Sequence, residues 1–411
     1  MTASQPIRIL RIIARLNIGG PAIQAISLSD HLSREGYKTV LVSGKVAPHE
    51  GDMAYLAEER GVQPVILPKM GREINPIGDM NSLMDLRRII KQFQPHIIHT
   101  HTAKAGTLGR LAGISFNLIR RSNVKMRMVH TFHGHIFHSY FGFLRTRLFI
   151  QIEKFLSRFT DRIIAISPLQ RHDICSRYGI APPEKVRIIP LGFDLSGFKG
   201  RDDHRKEIRE RYMLQESQSV SLVGIIGRLT DVKNHRVLLE AAKCLKAMGK
   251  GEHFRFLVVG DGELRQDLIM YARELGVQNA VIFAGWQKDM PSIYEALDIV
   301  ALTSLNEGTP VSLIEAMANA RPVVATDVGG VRDLMGAIDE ESKDGYTLAQ
   351  HGILVPSGEG EGLARALSFL HENKKVSDEM AKRGRDFVLN HYSVERLVKD
   401  IKSLYKEVLS T

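Results

Sequence analysis

The decisive stretch of this sequence reads Asn306-Glu-Gly-Thr-Pro-Val-Ser-Leu-Ile-Glu-Ala-Met317, and it lies between the apolar runs Ile299–Leu302 and Val323–Thr326. Thr309 fits the N-cap of a helix and Pro310 fits its first position, so we expect a helix between the two runs. A strand, a loop, a helix and a further strand in this order are typical of a βαβ unit in a parallel sheet.

The same alternation extends outward over the whole chain. Further strands are predicted at Ile7–Leu16, Thr39–Ser43, Ile97–Thr100, Met128–Thr131, Arg162–Ile166, Val220–Arg228, Phe254–Val259 and Val281–Phe283. The strand, loop, helix and strand pattern begins twice, which predicts an α/β protein with two Rossmann-like domains, 1–192 and 193–393. The last predicted helix, 394–411, is separate enough to pack back on the first domain.

Composition places the chain among ordinary globular proteins. Of its 411 residues 44% are hydrophobic and 25% are charged. No apolar run reaches the ~18–20 residues that would span a bilayer, and the N-terminus lacks the features of a secretory signal, so we expect a cytoplasmic protein. Cys175 and Cys244 fall in different predicted domains, which argues against a disulfide framework or a cysteine-based zinc site. We interpret both as small buried hydrophobic residues.

Glu307 and Glu315 are the first candidates for a binding site. Glu307 lies on the loop before the predicted helix, and Glu315 lies in its second turn. The amides at the helix start, from Gly308 to Ser312, form a natural anion site. Two carboxylates beside it can accept hydrogen bonds from a polyol, as a sugar linked to a diphosphate would require. Two solvated surface charges are the alternative, but the strand, loop and helix context favours binding.

The segment Gly227-Arg-Leu-Thr-Asp-Val-Lys-Asn234 occupies the first turn between strand and helix in the second half. Arg228 can bind two phosphate oxygens at once, and Lys233 adds a point charge nearby. Together they could neutralise a leaving diphosphate without a metal ion. The alternative is a pair of solvated surface cations, and the position at the end of a strand favours the binding interpretation.

Three glycine-containing turns give weaker signals. Asn17-Ile-Gly-Gly-Pro21 lets a backbone approach a ligand closely, but it is not the GxGxxG fingerprint, which weakens a nicotinamide or flavin interpretation. Gly260-Asp-Gly262 and Gly285-Trp-Gln-Lys-Asp289 follow strands of the second half. They could hold a nucleotide base and ribose, or they could be simple turns.

Histidines are concentrated in the first half, in His130-Thr-Phe-His-Gly-His-Ile-Phe-His138. His133 and His135 could chelate a metal, but no carboxylate lies close by to complete the site, so we expect no metal here. A single histidine placed against a substrate is the preferred interpretation. His99 and His101 end a neighbouring strand.

The net charge of +10 arises in one segment. Residues 104–177 contain 13 Lys and Arg against 3 acidic residues, which accounts for the whole excess. Within this segment lies an apolar stripe at helical spacing: Phe141, Leu144, Leu148, Ile152, Phe155 and Phe159. The stripe could contact a membrane surface, or it could face the domain core, which is slightly favoured. No nucleic-acid-binding module accompanies the charge, so nucleic acid is not expected as a partner.

Taken together, these segments resemble retaining GT-B glycosyltransferases of family 4 over nearly the whole chain. The resemblance rests on the Glu-x7-Glu pair Glu307 and Glu315, the following segment 321–330, Gly19 and Gly20, Arg228 and Lys233, and His133. It implies two Rossmann-like domains whose parallel sheets face an interdomain cleft. It also implies catalysis without a metal or another cofactor.

The resemblance further implies a role for each matching residue. Glu307 would contact the transferred sugar and Glu315 the ribose of the nucleotide. Arg228 and Lys233 would hold the diphosphate, and His133 would contact the sugar and help to stabilise the transition state. The expected donor-binding residues are Gly19, Gly20, Gly260, Trp286, Gly308, Thr309, Pro310, Val311 and Glu315.

The expected function is transfer of a sugar, with retention of configuration, from a nucleotide-diphosphate sugar to a hydroxyl of a glycan or lipid-linked acceptor. UDP is the expected nucleotide, and cell-surface polysaccharide biosynthesis is the expected process. The basic segment 104–177 could bring the enzyme to the inner face of the membrane. A sugar-nucleotide epimerase with the same fold, and a sugar-nucleotide-binding protein without activity, are the alternatives.

Overall fold

The computed structural model describes residues 6–17, 19–46, 51–71, 75–119, 125–133, 143–198, 204–212, 220–341 and 344–410. The chain divides into two compact units, Met1–Asp194 with Tyr392–Thr411, and Leu195–His391. The sequence prediction places these boundaries after residues 192 and 393, two residues away in each case. The chain crosses between the units at Phe193 and Ser393, which form a parallel bridge, so both crossing segments lie in the first unit.

The first unit is built on a parallel sheet. Its strands are β1 (Arg8–Ile13), β2 (Lys38–Gly44), β3 (Val65–Leu67), β4 (Ile97–His101), β5 (Arg127–Thr131), β6 (Arg162–Ala165) and β7 (Val186–Ile188). In the described residues these seven strands lie in the order β3-β2-β1-β4-β5-β6-β7, each parallel to its neighbours.

Helices connect these strands. They are α1 (Gly20–Arg34), α2 (Ala54–Glu59), α3 (Pro76–Phe93), α4 (Ala103–Ile119), α5 (Phe143–Ser157) and α6 (Pro168–His172), with a π-helical turn at Asp173–Arg177 and a 3-10 turn at Pro183–Lys185. Strands such as β1 and β4 are buried almost throughout, as expected of parallel strands with helices on both faces.

The second unit repeats this design with one addition. Its strands are β8 (Ser221–Ile226), β9 (Phe254–Val259), β10 (Val281–Gly285), β11 (Ile299–Leu302), β12 (Val323–Thr326), β13 (Ile338–Glu341), β14 (Thr347–Ala349) and β15 (Gly352–Val355). The eight described strands lie in the order β10-β9-β8-β11-β12-β15-β14-β13. Strands β13 to β15 pair in antiparallel fashion at one edge, and the remaining neighbours are parallel.

The helices of this unit complete the βαβ crossovers. They are α7 (Arg205–Arg211), α8 (Arg236–Ala247), α9 (Arg265–Glu274), α10 (Met290–Ala296), α11 (Val311–Ala318), α12 (Val331–Met335), α13 (Gly360–Glu372) and α14 (Lys374–His391), with 3-10 turns at Asp231–Lys233, Gly251–His253 and Gln278–Ala280. Apolar residues of α8 and α13, such as Leu238, Leu245 and Leu367, share one core cluster with Val223 of β8 and Phe256 of β9.

The final helix, α15 (Val394–Ser410), belongs to the first unit. Leu397, Ile401 and Leu404 recur at helical spacing on its buried face and share a core cluster with Ile9 and Ile97. The helix therefore covers one face of the first sheet, near strands β1 and β4.

The predicted α/β class is confirmed, and β9, β11 and β12 have their predicted bounds. Strands β3, β7 and β13 to β15 have no counterpart in the sequence prediction. They have three or four residues each, which is too short for a periodic signal. The predicted cap of α11 is wrong. Pro310, and not Thr309, occupies the N-cap position, because its ψ of 102° keeps it extended, and the helix begins at Val311.

Candidate functional site

The strongest sequence motifs of the second unit lie at its topological switch point. Strand β8 has β9 on one side and β11 on the other, so the connections that leave β8 and β11 run in opposite directions along the sheet. Ligands of open parallel sheets bind beyond the carboxyl ends of the strands at such a point. Segment 227–234 follows β8 and segment 303–310 follows β11.

Contacts join these two segments. The Leu305 amide donates to the Val232 carbonyl oxygen (2.8 Å), and the Thr303 hydroxyl donates to the Lys233 carbonyl oxygen (2.9 Å). The Lys233 ammonium lies 2.5 Å from Glu307 Oε1. The structure therefore brings two residues of the predicted site, 74 positions apart in sequence, into direct contact.

Two further hydrogen bonds fix the position of Glu307. The Ser304 hydroxyl donates to the same carboxylate oxygen (2.6 Å), and the Gly330 amide donates to the Glu307 carbonyl oxygen (3.0 Å). A Cβ at Gly329 would lie 2.1 Å from the Glu307 carbonyl oxygen, and one at Gly330 would lie 1.7 Å from that of Gly308. The glycine pair after β12 therefore allows the loop that carries Glu307 to pack closely against the turn that contains the two glycines. No local pattern in the sequence reveals this role.

Glu315 is held by a different partner. It lies in α11 and its carboxylate accepts a hydrogen bond from the Tyr294 hydroxyl (3.0 Å). Burial raises the pKa of Glu315 to about 7, and the bond from Tyr294 acts in the opposite direction. At neutral pH this carboxyl group is therefore poised between its two protonation states. Tyr294 is a site residue that sequence analysis missed, because it lies in α10, outside the strand-end loops.

Arg228 differs from Lys233 in being exposed, and no hydrogen bond or ion pair of its side chain is recorded within the described ranges. It is therefore available to a ligand. At the start of α11 no side chain caps the helix, which leaves the amides of Val311 and Ser312 without partners inside the helix. Gly308, Thr309 and Val311 are partly exposed beside them.

The turns after β9 and β10 contain the predicted site residues Gly260 and Trp286. Gly260 has a φ of +133°, and a Cβ there would lie 2.0 Å from the Gly227 carbonyl oxygen. A Cβ at Gly262 would lie 2.5 Å from the carbonyl oxygen of Leu229. These glycines allow the turn after β9 to pack against the segment that carries Arg228. Trp286, after β10, is half exposed.

His235 is a further residue that sequence analysis missed. It occupies the N-cap position of α8, directly after segment 227–234, and it is 3% exposed. Neither ring nitrogen has a hydrogen-bond partner in the part of the chain that the structure describes. Burial lowers its pKa to about 4, with a smaller effect from the charge of Lys233, so the ring is neutral at pH 7.

The first unit has its own switch point, where β1 is flanked by β2 and β4. Gly19, with a φ of +153°, occupies the N-cap position of α1, and Gly20 is the first residue of that helix. His101 ends β4, and His133 follows β5 by two residues. His101 Nδ1 and His133 Nε2 are 2.8 Å apart. Burial lowers the pKa of His133 to about 3, so this ring is neutral at pH 7.

No group of three or more His, Cys, Asp or Glu side chains suited to a metal is present in the described ranges. His135 and His138 lie outside the described residues. Cys175 and Cys244 are free and pack against the edges of their cores, where they are half-buried and so less buried than the sequence predicts. Each cysteine lies on a helical segment whose opposite face contributes residues to the core.

Two family descriptions match the chain. Glycosyltransferase Family 4 matches residues 18–196, and Glycosyl transferases group 1 matches residues 221–373. Together the two matches cover most of the chain, and they identify it as a glycosyltransferase with a family 4 domain and a group 1 domain. The predicted family and enzyme class are confirmed.

Curated relatives of this glycosyltransferase span most of its length. The UDP-Gal:alpha-D-GlcNAc-diphosphoundecaprenol alpha-1,3-galactosyltransferase of Escherichia coli is 29% identical over 349 residues, 85% of this chain and 84% of that protein. The capsular polysaccharide biosynthesis glycosyltransferase CapM of Staphylococcus aureus is 24% identical over 351 residues, 83% of this chain and 84% of that protein.

Solved structures establish the fold of this glycosyltransferase. Anabaena Alr3699/HepE has a TM-score of 0.78 at 20% identity and covers 98% of this chain and 100% of its own. The sucrose-phosphate synthase of Thermosynechococcus elongatus has a TM-score of 0.77 at 18% identity and covers 98% and 99%. The predicted GT-B fold is confirmed.

In the basic segment of this glycosyltransferase, three residues of the apolar stripe lie on the surface of α5 and of the turn after it, and Ile152 is partly buried. Leu148, Phe155 and Phe159 are 61%, 49% and 41% exposed, whereas Glu153 and Leu156 are buried. The slightly favoured interpretation, in which the stripe faces the core, is therefore wrong for these residues, because the helix turns its Glu153 face inward. The side chains of Phe141 and Leu144 lie outside the described residues. None of the helices in the described ranges combines the length and apolarity needed to cross a bilayer.

Proposed function

We propose that this chain is a retaining glycosyltransferase that moves a sugar from a UDP-sugar to a hydroxyl group of a glycan or glycolipid acceptor in cell-surface polysaccharide biosynthesis. The observation that carries the proposal is the contact between Lys233 and Glu307, beside the first turn of α11 at the switch point of the second sheet. A cation, a carboxylate and free helix amides in one place suit a ligand that has both phosphates and hydroxyls.

The proposed roles in the second unit follow from exposure and charge. Arg228, Lys233 and the backbone N–H groups of Gly308, Thr309 and Val311 hold the diphosphate. Because Lys233 contacts Glu307, the same ammonium can bind phosphate while the other oxygen of Glu307 accepts a hydrogen bond from a sugar hydroxyl.

Glu315 is proposed to accept hydrogen bonds from the ribose. Tyr294 holds one of its oxygens, which leaves the other for a hydroxyl group. Hydroxyl donors stabilise the ionised form, so ribose binding is expected to lower the raised pKa of this carboxyl group. Trp286 and Gly260 are proposed to lie near the nucleotide, each at the end of a neighbouring strand.

The proposed chemistry breaks the bond between the anomeric carbon and the diphosphate. Negative charge then grows on the leaving phosphate, where Arg228, Lys233 and the helix amides stabilise it without reorganisation. Positive charge grows on the sugar, which favours the neutral rather than the protonated form of His133. The leaving phosphate accepts the proton of the acceptor hydroxyl, and the new bond forms on the face that the phosphate left, so the configuration is retained.

The names of similar proteins support UDP as the nucleotide. The relative from E. coli is named as a transferase that uses UDP-Gal, and structures of Anabaena Alr3699/HepE are described as complexes with UDP and with UDP-glucose. The same E. coli name gives a diphosphoundecaprenol-linked acceptor, and CapM is named for capsular polysaccharide biosynthesis. These names support a lipid-linked or polysaccharide acceptor here.

The exposed stripe on α5 supports a peripheral contact with a membrane. Leu148, Phe155 and Phe159 are exposed together with Arg147 and Arg158. Such a mixture of apolar and cationic side chains favours the interface of an anionic bilayer, where a lipid-linked acceptor is found. Flotation with anionic vesicles tests this contact. Phe155→Ser and Phe159→Ser should weaken binding, and equal binding by the double variant and the wild type would refute it.

Nucleotide binding gives the first test of the donor site. Isothermal titration with UDP, GDP and ADP should give the tightest binding for UDP, and Arg228→Ala should weaken UDP binding about tenfold, since one charge-assisted contact is lost. Lys243→Ala, an exposed lysine on α8, is the matched control and should bind UDP like the wild type. If none of the nucleotides binds the wild type, the proposed donor site is wrong.

Product analysis separates transfer from its alternatives. With UDP-sugar and an added glycan or glycolipid acceptor, the wild type should release UDP and form a product with the donor's anomeric configuration. An epimerase would convert the donor sugar in the absence of any acceptor. A binding protein without activity would leave the donor unchanged in both reactions.

A further inference from the structure

Arg11 is a buried cation that has no buried anion as its partner. It lies within β1, and its side chain is fully buried. Among the residues that the structure describes, no carboxylate hydrogen bonds to it or forms an ion pair with it. Its guanidinium donates to Ser29 Oγ (3.3 Å), His99 Nδ1 (3.1 Å), His101 Nε2 (3.2 Å) and the Tyr405 oxygen (3.5 Å).

These contacts fix which ring nitrogens carry protons. A guanidinium has only donors and stays charged, so each histidine nitrogen that faces it must offer a lone pair. His101 is neutral, because burial and the neighbouring charges hold its pKa well below the usual range. With Nε2 as the acceptor, its proton must lie on Nδ1.

The proton on His101 Nδ1 determines the state of the next histidine. It points to His133 Nε2, 2.8 Å away, so His133 Nε2 must accept and its own proton must lie on Nδ1. In the described part of the chain, His133 Nδ1 is buried and has no hydrogen-bond partner. The row of hydrogen bonds that begins at Arg11 thus ends in an unused N–H donor on the histidine of the proposed site.

His99 serves as an internal check on this assignment. Its Nδ1 faces two donors, Arg11 and the Tyr405 hydroxyl (2.6 Å), and its Nε2 lies 2.7 Å from the Thr131 hydroxyl oxygen. It therefore carries its proton on Nε2, opposite to His101 and His133. One guanidinium sets opposite tautomers on two adjacent histidines of the same strand.

We propose that Arg11 is a positioning residue that acts through His101 to hold His133 as a neutral donor with its proton on Nδ1, directed at an oxygen of the bound substrate. The substrate contact rests on the proposed function, whereas the tautomers depend only on the folded protein. A histidine with its proton on Nε2 would present a lone pair at Nδ1 and repel the same oxygen. Arg11 therefore affects kcat although its side chain contacts no substrate.

The most informative pair of variants replaces His101 by a polar side chain in one protein and by an apolar side chain in the other. Glutamine can accept from Arg11 through its carbonyl oxygen and donate to His133 through its amide, which preserves the direction of the chain. Leucine has neither group. We expect His101→Gln to retain most of the turnover and His101→Leu to lower kcat about 10- to 100-fold, with KM for the donor within about twofold. Arg11→Met should behave like His101→Leu, provided that it folds.

Nitrogen NMR of ¹⁵N-histidine-labelled full-length protein without a donor gives a direct readout. The wild type should show a protonated Nδ1 for His133 and His101 and a protonated Nε2 for His99, each assigned by its own glutamine variant. His101→Leu should lose the single Nδ1–H state of His133, and His101→Gln should keep it. A wild-type His133 protonated on Nε2, or an unchanged His133 signal in His101→Leu, would overturn the inference.

Kinetics separate this inference from the proposed function. His133→Ala should lower kcat at least as much as His101→Leu. Full activity of His133→Ala would refute the proposed role of His133 while leaving the tautomer result intact. Loss of activity in His133→Ala with normal activity in His101→Leu would refute the role of Arg11 and His101 alone. His130→Gln, a buried histidine off this path, is the folding control.

Discussion

The two switch points of this glycosyltransferase use polar groups in opposite ways. In the second unit the polar groups lie on loops: Arg228 is exposed, and Lys233 and Glu307 are partly exposed. In the first unit they lie inside strands, where Arg11 and His101 are fully buried. The same type of parallel sheet can thus hold its polar groups on exposed loops, or bury them in a row of hydrogen bonds. Substitutions of the exposed loop residues in the second unit should therefore affect mainly activity, whereas substitutions of buried charged residues in the first unit should also reduce stability.

The largest expected effect is on the stability of the first unit. Arg110 is fully buried, and both oxygens of Glu153 lie 2.7 Å from its Nη2. Glu153→Ala leaves this guanidinium buried without compensation, and the free energy of unfolding should fall by about 3–5 kcal/mol in urea denaturation. Asp378→Ala, which breaks the exposed pair with Lys374, should cost under about 1 kcal/mol. Equal losses of unfolding free energy in the two variants would contradict the expectation that the buried ion pair contributes more to stability than the exposed one.

Lys233→Ala should show the reverse pattern in the second unit. In the proposed function the lysine is a preorganised partner of the leaving phosphate, so kcat/KM should fall by about 10²- to 10³-fold. Because the side chain is partly exposed, the free energy of unfolding should change by less than about 1 kcal/mol. Steady-state kinetics and urea denaturation of the same preparation measure both. A loss of stability as large as that of Glu153→Ala would remove the distinction between the two regions.

Gly330→Ala tests the packing behind Glu307. A Cβ there would lie 1.7 Å from the Gly308 carbonyl oxygen, so the loop must move, and we expect a loss of about 1–3 kcal/mol in stability together with weaker UDP binding. Gly71→Ala is the control, because a Cβ at that position meets nothing within 4 Å. Wild-type UDP affinity in Gly330→Ala would show that the glycine pair does not position the loop.

The smallest expected effect is a pH dependence at Glu315. Its folded pKa of about 7 lies above the unfolded value of 4.5, so the folded state holds the proton more tightly. This contribution to stability is complete below pH 4.5 and is lost as the pH rises through 7. Between pH 6 and pH 7 the wild type should lose about 1 kcal/mol relative to Glu315→Gln. Parallel unfolding curves of the two proteins over this range would argue against the raised pKa.

How far the sequence predicts a site depends on where its residues lie. Arg228, Lys233 and Glu307 could be singled out from the sequence because they lie on the loops that follow apolar strands, and the parallel order brings the ends of these strands together. The contacts of Tyr294 and Gly330 were not predictable, because each joins segments whose approach only packing decides. The role of Arg11 was not predictable either, because in the sequence it is only a charged residue that interrupts the apolar run of β1.

The α/β class, the repeated order of strands and helices and the residues on the strand-end loops can all be predicted from the sequence, because they follow from local periodicity and from the chemistry of single side chains. Three features emerge only from the folded chain: Lys233 contacts Glu307, α5 turns Leu148 and Phe155 outward, and Arg11 contacts two histidines. Each of these depends on how segments distant in sequence pack against one another, and close packing of the core, rather than any local pattern, sets that arrangement.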